Sequence, residues 1–374
     1  MKKNIITEYF EMIETVKEYD GYYYKISDMV TILILGSMCK LKNPQQIHQW
    51  ASKDRVREFL KEEFQIYHIP CYYWFICILK LIKTESLNKC FENWVYSTMP
   101  EKADKLTTIS FDGKTIRSTN AMKKLDSPMH IISAQVSELG LTLSQNIVDG
   151  KSNEIPAVQE LLRGLNIKGT LVTADALNCQ KETAEIIIEQ KADYLLSVKD
   201  NHPNLKKDIE DYVQDKELQN TMESILETEK NRDRIEIRTA YVTHDIDWLA
   251  QKDEWRELRC IGAINKKVLT ENEETSEWHY YISSRLLTPD EMLHHARMEW
   301  SVETMHWLLD VHFDEDHCRV QDKNVQMNLN IARKCAINLI KLFKSKTGSE
   351  RPISNIMLDC LIDERDLLQI VDRN

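Results

Sequence analysis

The order of strand-like and helical segments between Leu106 and Lys199 constrains the fold more than any other feature of the sequence. Three β-prone runs come first, LTTISFD, MHIISAQVSE and LTLSQNIVDG, and the last two are joined through Leu139-Gly140 as a predicted hairpin. The helix AVQELLRGLNI, the strand TLVTADA, the helix CQKETAEIIIEQ and the strand ADYLLSVK follow. Three antiparallel strands followed by alternating helices and strands predict a mixed α/β sheet.

Two aspartates stand at the ends of strands in this order. Asp112 ends the first strand and precedes Gly113-Lys114, and Asp175 ends the strand TLVTADA. Because we expect these two strands to be neighbours, the carboxylates would repel each other unless a cation lay between them. Carboxylate oxygens and water are ligands that suit Mg²⁺ or Mn²⁺. Each aspartate alone is equally well explained as a turn or helix-capping residue, so the prediction depends on the pair.

A third carboxylate comes from the run RMEWSVETMHWLLDVHFDEDHCR at 297–319, which has the length of a helix and contains neither Gly nor Pro. At helical spacing Glu299, Glu303, His306 and Asp310 fall on one face. Polar residues at this spacing are usually the solvated side of an amphipathic helix. Together with the two strand-end aspartates, however, Glu303 would complete a set of carboxylates able to hold two ions about 4 Å apart for phosphodiester chemistry.

Composition limits the class of protein. The 374 residues are enough for two or three domains, and the net charge of −11 argues against a basic nucleic-acid coat protein. The chain has no signal peptide and no apolar run of the roughly 20 residues that span a bilayer, so we expect a cytoplasmic protein. The nine cysteines are scattered and form no C-x-x-C pair, which predicts buried small hydrophobes. A zinc site made from His306, His312, His317 and Cys318 would match no standard ligand spacing.

The residues before the predicted sheet and those between Asp175 and Glu303 show different sequence patterns. Residues up to about Pro100 show apolar residues at helical spacing, interrupted at Asn43-Pro44 and Ile69-Pro70, and so predict a helical bundle. Such a bundle could bind DNA or a partner, or only pack on the next domain. The interval between Asp175 and Glu303 is about twice that between Asp112 and Asp175, which predicts an inserted segment before the acidic helix.

The chain resembles the DDE transposases of bacterial insertion sequences, specifically the H-repeat-associated (ISAs) family. The motifs that carry the resemblance come in the family's order: FDGKTIR around Asp112, VDGKSNEIPAVQELL, TADALNCQKETAEIIIEQKADYLLSVKDNHPNL around Asp175, YYISSR, and RMEWSVETMHWLLDVHFDED. Residues from Tyr23 to about Pro100 resemble, more weakly, the associated N-terminal domain of the same family.

Five positions depart from the family's motifs. The family's last helix usually reads R-x-H-W-x-I-E-N-x-L-H-W, whereas here Glu299 stands for His, Val302 for Ile, Thr304 for Asn and Met305 for Leu. His202 stands where Gln usually follows Asn. None of these changes removes a predicted metal carboxylate, although two of them alter the neighbours of the helical glutamate.

The resemblance implies an α/β fold with a ribonuclease-H-like mixed sheet. An α-helical N-terminal domain at 1–100 would precede a catalytic domain at 101–374, with a β-rich insertion at about 205–285. A helical segment would follow the catalytic helix at the C-terminal end of the chain.

The resemblance also implies a DNA transposase in which Asp112, Asp175 and Glu303 are the catalytic residues and the ligands of two Mg²⁺ (or Mn²⁺) ions, with Asp112 bridging the pair. The enzyme would cut the ends of its element and join the freed 3′-hydroxyl to target DNA. Its partners would be the terminal inverted repeats and the target DNA. The protein would bind this DNA as a homodimer on the bacterial nucleoid and would not interact with a membrane.

A second group of residues is predicted to contact DNA. Arg234, Glu236 and Arg238 alternate along one strand, resemble the family's R-x-E-x-R, and would face DNA or the catalytic sheet, unless they line a solvated strand face. Trp300 and Trp307 are expected in the core rather than as platforms for bases. The complete set of predicted DNA-binding residues is Lys114, Lys199, Asn201, Arg234, Arg238, Arg297 and Arg319. Lys114 could instead be a surface lysine, and Arg319 could instead pair with Asp314 or Asp316.

Two other functions fit the same sequence. A ribonuclease-H-like DNA nuclease would cut without joining, and an inactive transposase relic would bind DNA without cutting it. The intact carboxylates at the three predicted positions favour an enzyme over the relic.

Overall fold

The centre of the protein is a nine-stranded mixed sheet with the strand order β3-β2-β1-β4-β5-β9-β8-β7-β6. The computed structural model describes residues 8–99, 106–116, 129–149, 154–231, 234–271, 273–299, 301–320 and 322–372. The strands are β1 (Thr108–Thr115), β2 (Met129–Val136), β3 (Leu141–Asp149), β4 (Leu171–Ala174), β5 (Asp193–Val198), β6 (Glu223–Asn231), β7 (Arg234–Thr243), β8 (Cys260–Thr270) and β9 (Glu274–Ser283).

Helices surround this sheet and build the two ends of the chain. Those before the sheet are α1 (Ile26–Met38), α2 (Pro44–Ala51), α3 (Asp54–Phe64), α4 (Tyr72–Leu81) and α5 (Thr84–Thr98). Those between strands are α6 (Glu154–Gly164), α7 (Lys181–Glu189), α8 (Pro203–Gln214) and α9 (Lys216–Gln219). Those after the sheet are α10 (Pro289–Glu299), α11 (Ser301–Phe313), α12 (Lys323–Thr347), α13 (Ile353–Ile362) and α14 (Glu364–Asp372).

The first five strands have the predicted mixed arrangement. β1 pairs antiparallel with β2 and parallel with β4, and β4 pairs parallel with β5. The predicted hairpin between β2 and β3 is confirmed, and Gly140 takes a φ of +61° in its turn, a conformation that glycine adopts without strain. The prediction that the strands of Asp112 and Asp175 are neighbours is also confirmed.

One detail of β1 differs from the prediction. Asp112 does not end the strand, because β1 continues to Thr115, which pairs with His130 of β2. The parallel partner β4 stops at Ala174, so only the antiparallel partner supports the last residues of β1. Asp112 therefore lies where the strand leaves its parallel neighbour.

The segment between β5 and α10 extends the same sheet. After α8 and α9, strands β6 to β9 form an antiparallel meander, and β9 pairs antiparallel with β5. The residues predicted as a β-rich insertion at about 205–285 thus supply four strands that lie beside the first five. Gly262 of β8 leaves room for the thioether of Met292, because a Cβ at that glycine would lie 2.2 Å from the sulfur.

The long helix α12 joins the two ends of the chain. It begins where the Asp322 side chain accepts a hydrogen bond from the Val325 amide, and it ends at Gly348, which has a φ of +65°. Nearly all of its residues from Val325 to Leu342 are buried, and it packs on α1, α4, α5 and β3. The helices before the sheet therefore share one hydrophobic core with the C-terminal helices and the sheet.

The prediction that the cysteines are buried holds for most of them. Seven of the nine cysteines are buried, as predicted, whereas Cys71 is exposed and Cys77 is partly exposed.

Within the described part of the chain, we find no helix long and apolar enough to pass through a membrane.

The predicted helical run at 297–319 is not helical to its end. Its residues belong to the end of α10, to α11, and to a short 3₁₀ turn at Glu315–His317. α11 ends before Asp314, whose φ of 53° and ψ of 46° place it in the left-handed region. The prediction that Trp307 belongs to the core is wrong, since 58% of the residue is exposed. Trp300 lies outside the described residues.

Candidate active site

The register of β1 and β4 brings the two predicted aspartates together. Phe111 of β1 pairs with Ala174 of β4, so Asp112 and Asp175 are the next residues on adjacent parallel strands. Neighbouring strands lie about 4.8 Å apart, and paired positions on parallel strands point to the same face of the sheet. The two carboxylates therefore project from neighbouring positions at the same edge.

Asp175 is held by the turn that follows it. Its Oδ1 accepts hydrogen bonds from the backbone amide of Asn178 at 3.2 Å and from the Nδ2 of Asn178 at 2.9 Å. Burial raises the pKa of Asp175, and the nearby charges of Glu154 and Asp112 raise it further, while the two hydrogen bonds from Asn178 lower it. The net upward shift of this pKa therefore reflects the burial of the carboxylate first and the neighbouring negative charges second.

Helix α11 brings Glu303 and His306 to the same edge. The Nδ1 of His306 lies 3.3 Å from the Oδ2 of Asp112, which ties α11 to the middle of β1. Glu303 lies one helical turn earlier on α11, and its side chain is exposed. The Nε2 of His306 is buried and has no hydrogen-bond partner among the described residues.

The end of α10 reaches the same place. The hydroxyl of Ser110, two residues before Asp112, lies 3.3 Å from the carbonyl oxygen of Met298 and 2.8 Å from the hydroxyl of Thr173. Ser110 and Thr173 are paired on β1 and β4. Because Met298 lies against this pair, the next residue, Glu299, enters the region of the two aspartates.

Glu299 is a fourth acidic group of the site. Its pKa is raised to about 7, first by burial and then by the negative charges of Asp175, Asp112 and Glu303, while the charge of Lys199 lowers it. The sequence placed Glu299 on the face of Glu303 but gave it no role. The structure brings it to both strand-end aspartates.

The donors of this site are hard carboxylate oxygens, which suit Mg²⁺ or Mn²⁺. The carboxylate oxygens of Asp112, Asp175 and Glu303 do not all lie within 4.8 Å of one another. Within the described ranges, a different set of three potential ligands meets that distance. Asp112, Asp175 and Glu303 are the residues that could hold such ions.

That other set consists of Glu138, His294 and His295. It lies at the opposite end of β1, where the hydroxyl of Thr108 donates to Glu138 at 2.5 Å and lies 2.7 Å from the Nδ1 of His295. The Thr108 amide also donates to both carboxylate oxygens of Glu138. Glu138 and His295 therefore have partners within the protein.

Lys114, predicted to contact DNA, is largely buried and lies in two ion pairs. Its Nζ is 2.7 Å from Asp310 and 3.2 Å from Glu315. Glu315 is fully buried and also lies 3.3 Å from the guanidinium of Arg333. Burial raises the pKa of Glu315, but the charges of Arg333 and Lys114 outweigh it and hold this pKa below its ordinary value. Lys114 thus fastens β1 to the end of α11.

The predicted R-x-E-x-R strand faces helix α10. Glu236 and Arg238 are buried and paired with each other, and Arg238 also lies 3.0 Å from Glu229. Arg234 is exposed and lies 2.7 Å from Glu236, and Arg297 of α10 contacts Glu229 at 3.2 Å. That these arginines contact DNA stays a prediction. The burial of the Arg238 guanidinium argues against a contact between Arg238 and DNA.

The other predicted DNA contacts lie in three different settings. The side-chain amide of Asn201 donates to the carbonyl of Ala176 at 2.6 Å, so it supports the turn after Asp175. Lys199 is exposed near the end of β5. Arg319 is exposed beyond α11 and lines a cleft of about 740 Å³ together with Tyr72 and other residues. Their contacts with DNA stay predictions.

Sequence reasoning missed three buried polar residues behind Asp175. They are His130, Glu154 and Asn178, which lie in β2, at the start of α6 and in the turn after β4. Two of the motifs quoted above, VDGKSNEI and TADALN, contain Glu154 and Asn178. The one sequence signal for Glu154 and Asn178 is that these motifs lie close to Asp175 in the chain or contain it.

This arrangement defines a class: a mixed α/β protein in which carboxylates from two adjacent parallel strands and a following helix meet at one edge of the sheet. The chain belongs to the DDE transposase family, since the family model described as "Transposase DDE domain" matches residues 105–339. A second model, "DDE_Tnp_1-associated", matches residues 7–95. Both matches confirm the resemblance found in the motifs.

Proteins of Escherichia coli are similar over most of the chain. "H repeat-associated putative transposase YhhI" of strain K12 is 30% identical, with 96% of each chain covered. "Putative transposase YncI" of strain O157:H7 is 29% identical, over 96% of this chain and 93% of that protein. Among solved structures, a piggyBac transposase synaptic complex with hairpin DNA aligns with a TM-score of 0.47 at 8% identity, covering 98% of this chain and 76% of that chain.

Proposed function

We propose that this protein is a DNA transposase that cuts the ends of an insertion element and joins the freed 3′-hydroxyl to target DNA. The proposal is supported by membership of the DDE transposase family and, above all, by the register that sets Asp112 beside Asp175. Its substrates would be the terminal inverted repeats of the element and the target DNA. The protein would act as a homodimer in the bacterial cytoplasm, on the nucleoid.

The catalytic core would be ribonuclease-H-like and would use the three carboxylates as ligands. Asp112, Asp175 and Glu303 would hold two Mg²⁺ or Mn²⁺ ions. When bound, such a pair lowers the pKa of an attacking water or hydroxyl and neutralises the charge that develops on the leaving oxygen. The protein itself would fix the spacing of the carboxylates, through β1, β4 and the contact between His306 and Asp112.

The acidic net charge of the chain does not oppose this proposal. Several of the carboxylates gather at the proposed metal site, and bound cations would offset their charge. Lys199 is an exposed cation near this edge of the sheet and is our first candidate for a phosphate contact. Arg319, some 16 residues beyond Glu303, is a second candidate on a different surface.

The test is processing of end-labelled DNA that carries the sequences flanking the gene, in Mg²⁺ or Mn²⁺, by the full chain. We expect wild type to nick and join, and Asp112→Asn, Asp175→Asn and Glu303→Gln each to lose both activities by at least about 10²-fold. The matched control is Asp54→Asn, an exposed aspartate at the start of α3, which should behave as wild type.

Three results would overturn parts of the proposal. Nicking without a joined product would indicate a ribonuclease-H-like nuclease. Specific DNA binding without cleavage in either metal would indicate a DNA-binding relic. Cleavage that survives all three substitutions would remove these carboxylates from the reaction.

A further inference from the structure

A chain of buried polar contacts lies behind Asp175, outside the set of three predicted metal ligands. Glu154, at the first residue of α6, is 5% exposed, and His130 of β2 is 2% exposed. The Nε2 of His130 lies 3.1 Å from the Oε2 of Glu154, and the Nδ2 of Asn178 lies 3.4 Å from its Oε1. We call these three residues, His130, Glu154 and Asn178, the brace.

The donors and acceptors of the brace have one consistent assignment. The amide of Asn178 must turn its NH₂ group toward Glu154 and Asp175, because the opposite orientation would set its carbonyl oxygen against two carboxylates. The Nε2–H of His130 then donates to Glu154, and its Nδ1 accepts from the hydroxyl of Thr115 at 2.9 Å. Each of the two carboxylates therefore accepts hydrogen bonds from a fixed donor.

The brace leaves one oxygen of Asp175 free. Both hydrogen bonds from Asn178 reach Oδ1 of Asp175. Its Oδ2 accepts none from the part of the chain that the structure describes. A carboxylate held in this way can offer a single oxygen in a fixed direction, which is how residues behind metal ligands orient them.

The brace also reaches the strand of Asp112. The imidazole of His130 packs on Gly113, and a Cβ at that glycine would lie 2.4 Å from Nε2 and 2.9 Å from Cε1. The residue after Asp112 must therefore be glycine for His130 to reach Glu154. One group of buried side chains thus spans the distance between the two strand-end aspartates.

We propose that Glu154 is a positioning residue of the metal site: through Asn178 it orients the carboxylate of Asp175, and through His130 it fixes the distance of that carboxylate from Asp112. This inference rests on the proposed function, because it concerns the divalent ions that the carboxylates would hold. Glu154 is not placed among the ligands.

The test measures metal binding directly, by the paramagnetic resonance signal of free Mn²⁺ titrated against the full-length protein without DNA. Glu154→Gln preserves the shape of the side chain but removes its charge and one acceptor. Its dissociation constant for Mn²⁺ should rise about 10- to 100-fold, the usual effect of losing a residue behind a metal ligand. Asp175→Asn should lose the corresponding binding step altogether.

The matched control is Glu92→Gln, a glutamate of α5 that is also 5% exposed but pairs with Lys89 of its own helix. It should bind Mn²⁺ as wild type does. If Glu154→Gln loses stability as well, Glu154→Asp serves as the second variant. A purely structural role would lower the melting temperature of both variants and leave the affinity of their folded fraction for Mn²⁺ unchanged.

The outcomes separate this inference from the proposed function. If wild type binds Mn²⁺, Asp175→Asn does not, and Glu154→Gln binds as wild type does, the positioning role is wrong and the metal site stands. If wild type itself binds no Mn²⁺ and cuts no DNA, both are wrong.

Discussion

The Oδ2 of Asp112 lies 3.3 Å from the Nδ1 of His306, so the central strand of the sheet is tied directly to the helix that carries Glu303. This single contact joins parts of the chain that are almost 200 residues apart in sequence. It links the elements that carry the first and the third of the proposed ligands, so its loss should weaken ion binding at the proposed metal site.

We first predict the effect of removing this contact. His306→Ala should raise the concentration of Mg²⁺ that half-saturates DNA cleavage by about 10-fold, because Asp112 loses the group that orients it. The measurement is the initial cleavage rate against Mg²⁺ concentration. His68→Ala, at an exposed histidine between α3 and α4, is the control. Equal half-saturation in the two variants would contradict the prediction.

The second prediction concerns Gly113. Gly113→Ala should displace His130 and lower the free energy of unfolding by about 1–3 kcal/mol, the range for overpacking a buried site. It should also weaken Mn²⁺ binding. Denaturant unfolding and Mn²⁺ titration measure the two effects. At Gly164, the last residue of α6, an added Cβ would meet nothing within 4 Å, so Gly164→Ala should change neither quantity adversely.

The third prediction concerns the buried charges that connect β1 to α12. Glu315→Gln leaves Arg333 and Lys114 without their shared counter-charge, which should cost about 3–5 kcal/mol of unfolding free energy. The control is Glu182→Gln, which breaks an exposed ion pair with Arg163 and should cost less than about 1 kcal/mol. Similar losses for the two variants in denaturant unfolding would show that the buried cluster adds no special stability.

The fourth prediction is a pH dependence caused by Glu299. Burial and the neighbouring carboxylates raise its pKa from 4.5 to about 7 in the folded protein, while the unfolded chain keeps the lower value. An acid whose pKa is raised by folding takes up protons on folding, so its favourable contribution is complete below about pH 4.5 and is lost as the pH rises through about 7. The metal-free protein should therefore lose stability across this window.

The substitution Glu299→Gln should remove that part of the pH dependence. The melting temperature of the metal-free variant should exceed that of wild type by a few degrees at pH 8 and by little at pH 5. Glu274→Gln, at an exposed position of β9, is the control. A difference between Glu299→Gln and wild type that stays constant from pH 5 to pH 8 would contradict the assigned environment of Glu299.

The sequence by itself determined the local elements and the candidate carboxylates. Alternating apolar residues and the glycine at position 140 are sufficient for the β2–β3 hairpin, because both depend on neighbours in the chain. Asp112 and Asp175 were found because each follows a run of β-prone residues. The family followed from contiguous motifs, which need no tertiary information.

Only the tertiary structure decided which side chains meet. The run at 297–319 has helical periodicity throughout, but the end of α11 at Phe313 and the exposure of Trp307 depend on tertiary packing. The brace of His130, Glu154 and Asn178 combines three distant segments, and no local pattern encodes such a contact. Lys114 looks like a surface lysine in sequence, yet two carboxylates more than 190 residues away hold it in a largely buried position. Burial and charge pairing depend on long-range contacts, and these exist only once the chain has folded.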